Sequence, residues 1–261
     1  MPATPVDPAR PADIAHLVVA IDGPSGSGKS TVARAVASAL GLRYLDTGAM
    51  YRALTWWVMH RHPGNVTAAS TLLALADFEL DMSTSPASQR VVVAGNDVTV
   101  AIRQSDVTTW VSAVSAVPEV RQEMLQRQRR IIGSGAIAVE GRDIGTTVCP
   151  DAQVKVFLTA SVDARASRRA RELTTDEAVQ PGVATVRADL NRRDHLDASR
   201  AASPLQQADD AIAVDSTTLD AQQVVAAVLD LVRQRTGIVA TSDPALTATQ
   251  TTLDPIGGER R

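Results

Sequence analysis

Lysine is almost missing from this chain. Of 26 basic residues in 261, only Lys29 and Lys155 are lysines. A guanine-specific switch protein reads its base through an [NT]KxD motif, and neither lysine stands in one: Lys29 lies in GSGKS and Lys155 in VKVF. That class is excluded. Cysteine is reduced to Cys149, so no internal disulfide forms, and no Cys/His spacing suggests zinc. No apolar run approaches the roughly 18–20 residues that span a membrane. The first residues, MPATPVDPARPADIA, lack the apolar middle of a signal peptide. An excess of positive charge is absent too. A net charge of −3 leaves no global footprint for nucleic acid, so clustered basic residues need a local explanation. With 44% hydrophobic and 21% charged residues the composition is that of a soluble globular protein. The expectation is a cytoplasmic monomer with neither nucleic-acid nor membrane partners.

What is present is a phosphate loop. Gly23–Ser30 reads GPSGSGKS, directly after the apolar run Leu17–Ile21 and directly before a helix-like stretch, Thr31 to Leu40. Strand, glycine loop and helix are the context that GxxxxGK[ST] requires. Gly23, Gly26 and Gly28 let the backbone curl without a Cβ penalty, so that successive N–H groups point inward as an anion cradle. The helix start adds its positive dipole end. Within Gly23, Pro24, Ser25, Gly26, Ser27, Gly28, Lys29, Ser30 and Thr31, Lys29 is expected to reach the terminal phosphates of a nucleoside triphosphate and Ser30 to ligate magnesium.

The rest of the chain alternates strands with helices. Val32, Val36, Ala39 and Leu40 share one helical face, and Gly41 stops the helix. A short strand, Arg43 to Leu45, leads to a second helix over Ala49–His60. Residues 62–100 differ: a helix near Ala68–Ala76 is followed by alternating runs at Phe78–Met82 and Arg90–Val100 around Gly95-Asn96-Asp97, the pattern of a small antiparallel hairpin sheet. Helices are expected over 103–116 and 118–131, the second opened by Pro118. Further strands fall at 136–140, 154–158 and 211–215, and further helices at 164–173, 183–193 and about 218–235. Trp56, Trp57 and Trp110 read as core or domain-packing residues. The expected fold is a three-layer α/β/α sandwich on a parallel sheet, with an antiparallel insertion. Its parts are a disordered N-terminal arm at 1–15, a core at 16–61 and 117–236, an insertion at 62–116 and a disordered tail at 237–261.

A motor-type ATPase would show an apolar strand ending in Asp; the candidates here end in Thr159, Asp215 or Glu140, which weakens that reading without removing it. The other reading is a site that receives the γ-phosphoryl group. Transfer between phosphates concentrates negative charge, so catalysis consists largely of positioning and cationic stabilisation. Arginine suits this, because its fork grips phosphate oxygens in pairs and stays charged. Arg52, Arg142, the cluster Arg165-Arg168-Arg169-Arg171, Arg193 and Arg200 follow strands or sit at helix ends, where ligands of parallel sheets bind. Arg127, Arg129, Arg130, Arg192, Arg233 and Arg235 read as solvated surface.

Five segments together carry a resemblance. IDGPSGSGKST, YLDTGAMYRAL at 44–54, EGRDIGT at 140–146, SVDARASRRARE at 161–172 and RRDHLDASRAASPL at 192–205 resemble, in this order, the bacterial cytidylate kinases. The insertion at 62–100 matches the long form of that family. The resemblance implies a P-loop fold with a five-stranded parallel sheet, an inserted monophosphate-binding domain and a helical lid near 161–182. It implies transfer of the γ-phosphoryl group of ATP to CMP or dCMP, with Mg2+. It also implies that Arg52, Arg142 and Arg200 hold the acceptor phosphate and that Arg193 and Asp197 contact the sugar and its phosphate. Thr47, Ser112, Arg121 and Asp143 would line the base pocket. Lys29 and Arg142, with the lid arginines Arg165, Arg168 and Arg169 closing on the transferring group, would be catalytic. The chemistry of Asp143 agrees, since a carboxylate accepts from the exocyclic amine of cytosine and not from the carbonyl of uracil. Thr47 and Glu140 stand where some members carry Ser and Asp. Two alternatives stay open from the residues alone: another small-metabolite kinase of uridylate or shikimate type, and a nucleotide-binding module without turnover.

Overall fold

The computed structural model describes residues 14–173, 182–200 and 202–240. In chain order the first elements are β1 (Val18–Asp22), α1 (Lys29–Leu40), β2 (Arg43–Asp46), α2 (Thr47–Arg61), α3 (Ala68–Ala76), β3 (Leu80–Met82), β4 (Val91–Val93) and β5 (Asn96–Asp97). A 3-10 turn at Ala101–Arg103 precedes α4 (Ser105–Ser115), α5 (Pro118–Ile132) and β6 (Ile137–Gly141). A π-type turn at Ile144–Val148 then leads to β7 (Val154–Thr159), α6 (Val162–Leu173), α7 (Val183–Ala198), β8 (Ile212–Asp215) and α8 (Ala221–Thr236).

Five of these strands make one parallel sheet in the order β2-β6-β1-β7-β8. β1 lies at its centre, with Asp22 opposite Gly141 on one side and Phe157 on the other. Because side chains alternate across a strand, β1 serves two cores at once. Ala20 joins a cluster with Leu45, Met50, Leu54 and Val139 on the α2/α5 face. Val19 and Ile21 join another with Val32, Val36, Val156 and Val228 under α1 and α8. This burial on both faces is why the strand reads as an unbroken apolar run.

The insertion forms a three-stranded antiparallel sheet, β3-β4-β5, in which Ala94 (φ 46) and Gly95 (φ 80) make the tight hairpin turn. Two consecutive positive φ values give the twist that a two-residue hairpin needs. Its apolar side does not form a separate core. Phe78, Val91, Val93, Val98 and Ile102 belong to the same cluster as Leu45 and Val139. Helix α6, in the lid segment, and α7 differ. Among the described residues α6 and α7 pack through Ala166, Val186 and Leu190, a small cluster apart from both others.

Several expectations shift. The helix expected over 103–116 is broken: the 3-10 turn comes first, and Gln104, in extended geometry, starts α4 anew. Trp110 is 41% exposed on α4 and is not a core residue, whereas Trp57 is buried and donates its ring N–H to the Ala74 carbonyl at 3.1 Å. α7 runs five residues beyond the expected end, to Ala198. Packed structure continues past residue 236: Gly237 caps α8 in left-handed geometry, and Ile238 is 3% exposed against the α1/α8 core. Ile14 likewise packs against that core. The remaining parts of the expected arm (1–13), lid (174–181) and tail (241–261) lie outside the described residues.

Candidate active site

The carboxyl ends of β1, β2 and β6 open into a cleft of about 450 Å³, bounded by the phosphate loop, α2, α4, α5 and the lid helices. The loop owes its shape to β7 as much as to its own glycines. A Cβ on Gly23 would stand 2.0 Å from the Leu158 carbonyl oxygen, so the loop can cross the end of β7 only as glycine. Gly28 sits at φ 92 and opens α1, whose first residues Lys29, Ser30 and Thr31 line the cleft. Lys29 is buried and donates to the Pro24 carbonyl at 2.7 Å. Burial, then the nearby Arg142, pushes its ammonium down to about 7, against the pull of Glu140, Asp22 and Asp194.

At the loop exit the Ser30 hydroxyl bonds the buried Glu140 carboxylate, which also accepts from the Tyr44 hydroxyl. Burial and the neighbouring Asp46 push Glu140 above the usual carboxylate range. Asp46 itself is held low although burial opposes it, because Arg52 and Arg103 face it and the Ala49 N–H binds it at 2.8 Å. A hydroxyl beside two buried carboxylates is a hard-oxygen set that fits a magnesium ion.

The cleft is also rich in cations. Arg52, Arg142, Arg169, Arg193 and Arg200 all line the cleft. Burial, then Arg52 and Arg142, pushes Arg193 down to about 9. Burial also lowers Arg52 and Arg200. Burial works against Arg142 as well, but Asp197, Asp194 and Glu140 together hold it above its ordinary value. Arg193 Nε and one Arg200 terminal nitrogen are buried without a hydrogen-bond partner among the described residues. Crowded cations with unused donors form a site for an anion of high charge.

Deeper in, Arg121 NH2 donates to Asp143 Oδ2 at 2.6 Å, and the Arg121 guanidinium lies 5.3 Å from the Tyr51 ring centroid. Both partners of the pair are buried. Thr47 donates its hydroxyl proton to the Glu140 carbonyl at 2.7 Å, and Ser112 lines the same cleft. The turn that carries Asp143 is fixed by Asp22, whose two carboxylate oxygens accept the N–H groups of Ile144 (2.8 Å) and Gly145 (2.7 Å). Burial raises Asp22 to about 6 despite those two bonds.

A glycine-rich phosphate loop, a group of arginines and a polar recess thus share one cleft, and the comparisons agree in kind. A family model described as cytidylate kinase matches residues 19–234. The chain belongs to the cytidylate kinase family. A cytidylate kinase of Streptomyces avermitilis is 49% identical over 222 residues, covering 84% of this chain and 94% of that protein. One from Rhodococcus jostii is 49% identical over 223 residues (85% and 96%), and one from Lactiplantibacillus plantarum 43% over 219 (84% and 96%).

Against that family pattern, the cleft brings together Lys29, Ser30, Thr31, Thr47, Arg52, Ser112, Arg121, Arg142, Asp143, Arg169, Arg193, Asp197 and Arg200. It does not bring in all the lid arginines. Arg165 donates to the carbonyls of Ser25 (2.9 Å) and Ala160 (3.1 Å) and pairs with Asp194. Arg168 binds the Ser216 hydroxyl at 2.9 Å and the Ser216 carbonyl. Of the three, only Arg169 lines the cleft. Within the loop, Pro24 has no N–H to offer an anion, and Ser25 has its N–H, carbonyl and hydroxyl all engaged by protein groups. Asp46, Tyr51 and Glu140 also line the cleft and were not read as site residues, nor was Asp22, which fixes the turn that carries Asp143. Asp46, just before the Thr-Gly that opens α2, had a helix-cap signal. Glu140 ends an apolar strand directly before Gly141-Arg142-Asp143, and Asp22 and Tyr51 lie inside the resembling segments, but no spacing fixed their roles.

Proposed function

We propose that this protein phosphorylates CMP and dCMP with ATP, and that the base is selected by two acceptors with no proton to give. The observation that carries the reading is the Asp143–Arg121 pair beside Thr47. Arg121 occupies Asp143 Oδ2, which leaves Oδ1 for a ligand. Thr47 has already given its proton to the Glu140 carbonyl and offers only a lone pair. A recess with two acceptors matches the exocyclic amine of cytosine. Uracil presents a carbonyl there, and the desolvated acceptors would go unpaired.

The donor triphosphate lies on the phosphate loop, with Lys29 at its terminal phosphates. Ser30 and Glu140 would hold magnesium, which supplies charge neutralisation across the phosphate oxygens when bound. The acceptor phosphate lies on Arg52, Arg142, Arg193 and Arg200, and Asp197 orients the sugar. That phosphate is already ionised near neutral pH, so its oxygen attacks without a general base. What the protein supplies is alignment of two anions that repel each other in water, and the arginine wall offsets that repulsion. Arg169, the lid arginine that lines the cleft, would stabilise the transferring group.

Initial rates with CMP and UMP test this directly. The wild-type kcat/KM is expected to favour CMP by about 100-fold or more, the discrimination of a site built around hydrogen bonds. Thr47→Val is expected to lower kcat/KM for CMP by roughly tenfold and leave KM for ATP within about twofold. Equal wild-type rates on CMP and UMP would overturn the base assignment.

A further inference from the structure

Ser25 is tied by all three of its polar groups. Its N–H donates to Asp194 Oδ1 at 3.1 Å, its carbonyl accepts from Arg165 NH1 at 2.9 Å, and its hydroxyl accepts from Arg142 NH2 at 2.7 Å. The same Arg165 nitrogen reaches Asp194 Oδ2 at 2.5 Å. Arg142 in turn pairs with Asp197 at 3.0 Å, one turn beyond Asp194 on α7. The contacts close into a ring that runs from the phosphate loop to the lid helix, to α7, to the acceptor arginine and back to the loop. Contact between α6 and the loop is close: a Cβ on Gly26 would stand 3.3 Å from Arg165 Cβ. Apolar packing does little of this joining, since α6 and α7 meet over only a small cluster of their own.

We propose that Asp194 is a positioning residue that couples the donor and acceptor sites, so that a nucleotide bound in either one tightens binding in the other. The inference rests on the two-nucleotide reading above. Asp194 does not line the cleft and acts through Ser25 and Arg165. An acceptor phosphate that draws in Arg142 and Arg193 fixes α7. Because Asp194 fastens α7 to Ser25, the same ordering fixes the phosphate loop and the lid helix. The second nucleotide then meets a site already ordered, which is positive coupling and is reciprocal by linkage.

Calorimetric titration of the full chain with CMP, alone and with a saturating non-hydrolysable ATP analogue and magnesium, measures that coupling. The wild type is expected to bind CMP about 5- to 150-fold tighter with the analogue present. In Asp194→Asn the factor is expected to fall to within about twofold of one, with each nucleotide alone binding within about threefold of wild type, because the ion pair to Arg165 is lost and the cleft lining is untouched. Asp194→Glu, which keeps the charge, is expected to retain most of the coupling. If thermal melting shows that the Asn variant does not fold, Arg165→Lys carries the same expectation. A wild-type factor of one, or a variant with the wild-type factor, overturns the proposal. So does a variant that loses affinity for each nucleotide alone while its coupling persists. Turnover of CMP by the same wild-type preparation keeps the two readings apart. No turnover sinks the functional reading, and turnover with unaffected coupling sinks this inference alone.

Discussion

Asp143 carries two duties, and substitutions separate them. It is one half of a buried pair with Arg121 and, in the proposed reading, one of two acceptors for the base. Asp143→Ala leaves a buried guanidinium without its counter-charge, which costs about 3–5 kcal/mol of stability in addition to any effect on catalysis. Asp143→Asn keeps an acceptor for Arg121 and is the cleaner probe. It is expected to lower kcat/KM for CMP by about 10- to 100-fold, the worth of a hydrogen bond to a charged group, while KM for ATP stays within about twofold. An equal rise in both KM values would show the residue to be purely structural. Lys29 adds a prediction with a sign. Its ammonium is held near pKa 7 by burial and Arg142. A phosphate beside it favours the charged form, so ATP binding above pH 7 must take up a proton, and affinity must fall as pH rises through 7 to 9. Calorimetry at pH 8 in buffers of different ionisation enthalpy reads that uptake. Zero uptake would mean that Lys29 is already charged in the free protein. Lys29 and Ser30 were readable because motif spacing fixes what backbone curl and helix start do together. The arginines were readable only as a supply of charge. Spacing cannot say which way a guanidinium turns, and Arg165 and Arg168 turn toward backbone carbonyls of the loop and of the β7 and β8 ends instead of into the cleft.

Among the elements, the join between β7 and the phosphate loop is the least tolerant. Gly23→Ala would push a methyl group into the Leu158 carbonyl, and it is expected to cost more than about 4 kcal/mol, at the severe end for single substitutions. Gly41→Ala meets no atom within 4 Å and bears only the strain of its left-handed φ of 66, so about 1 kcal/mol is expected. Urea midpoints of the two variants test the contrast, and similar midpoints would refute the clash as the cause. The strands, the long helices and the hairpin follow patterns that local sequence carries: apolar runs, helical spacing, Gly95 in the turn. The π-type turn after Asp143 had no such signal. It depends on Asp22, more than a hundred residues earlier, accepting two of its N–H groups. Long-range polar contacts of this kind leave no periodicity behind.

Across the whole molecule, two large apolar clusters flank one sheet, and the insertion shares the first of them. The sequence marks the insertion as a separate unit because its period changes from 3.6 to 2, yet Val91 and Val93 bury against the core of the main domain. The chain's end divides in a similar way. Deleting 241–261 is expected to leave turnover and melting temperature unchanged, whereas a cut after Thr236 also removes the Gly237 cap and buried Ile238. That larger cut is expected to lower stability by about 2–3 kcal/mol, the worth of one buried isoleucine and a helix end. Equal melting temperatures for the two truncations would contradict the packing of Ile238. The central claim is that one cleft holds a triphosphate donor and a cytidine monophosphate acceptor. Release of ADP from ATP and magnesium, measured separately with CMP, dCMP, UMP, AMP and shikimate, tests it most directly. The account predicts turnover with CMP and dCMP well above the other three. Turnover with shikimate or AMP and none with CMP would contradict it.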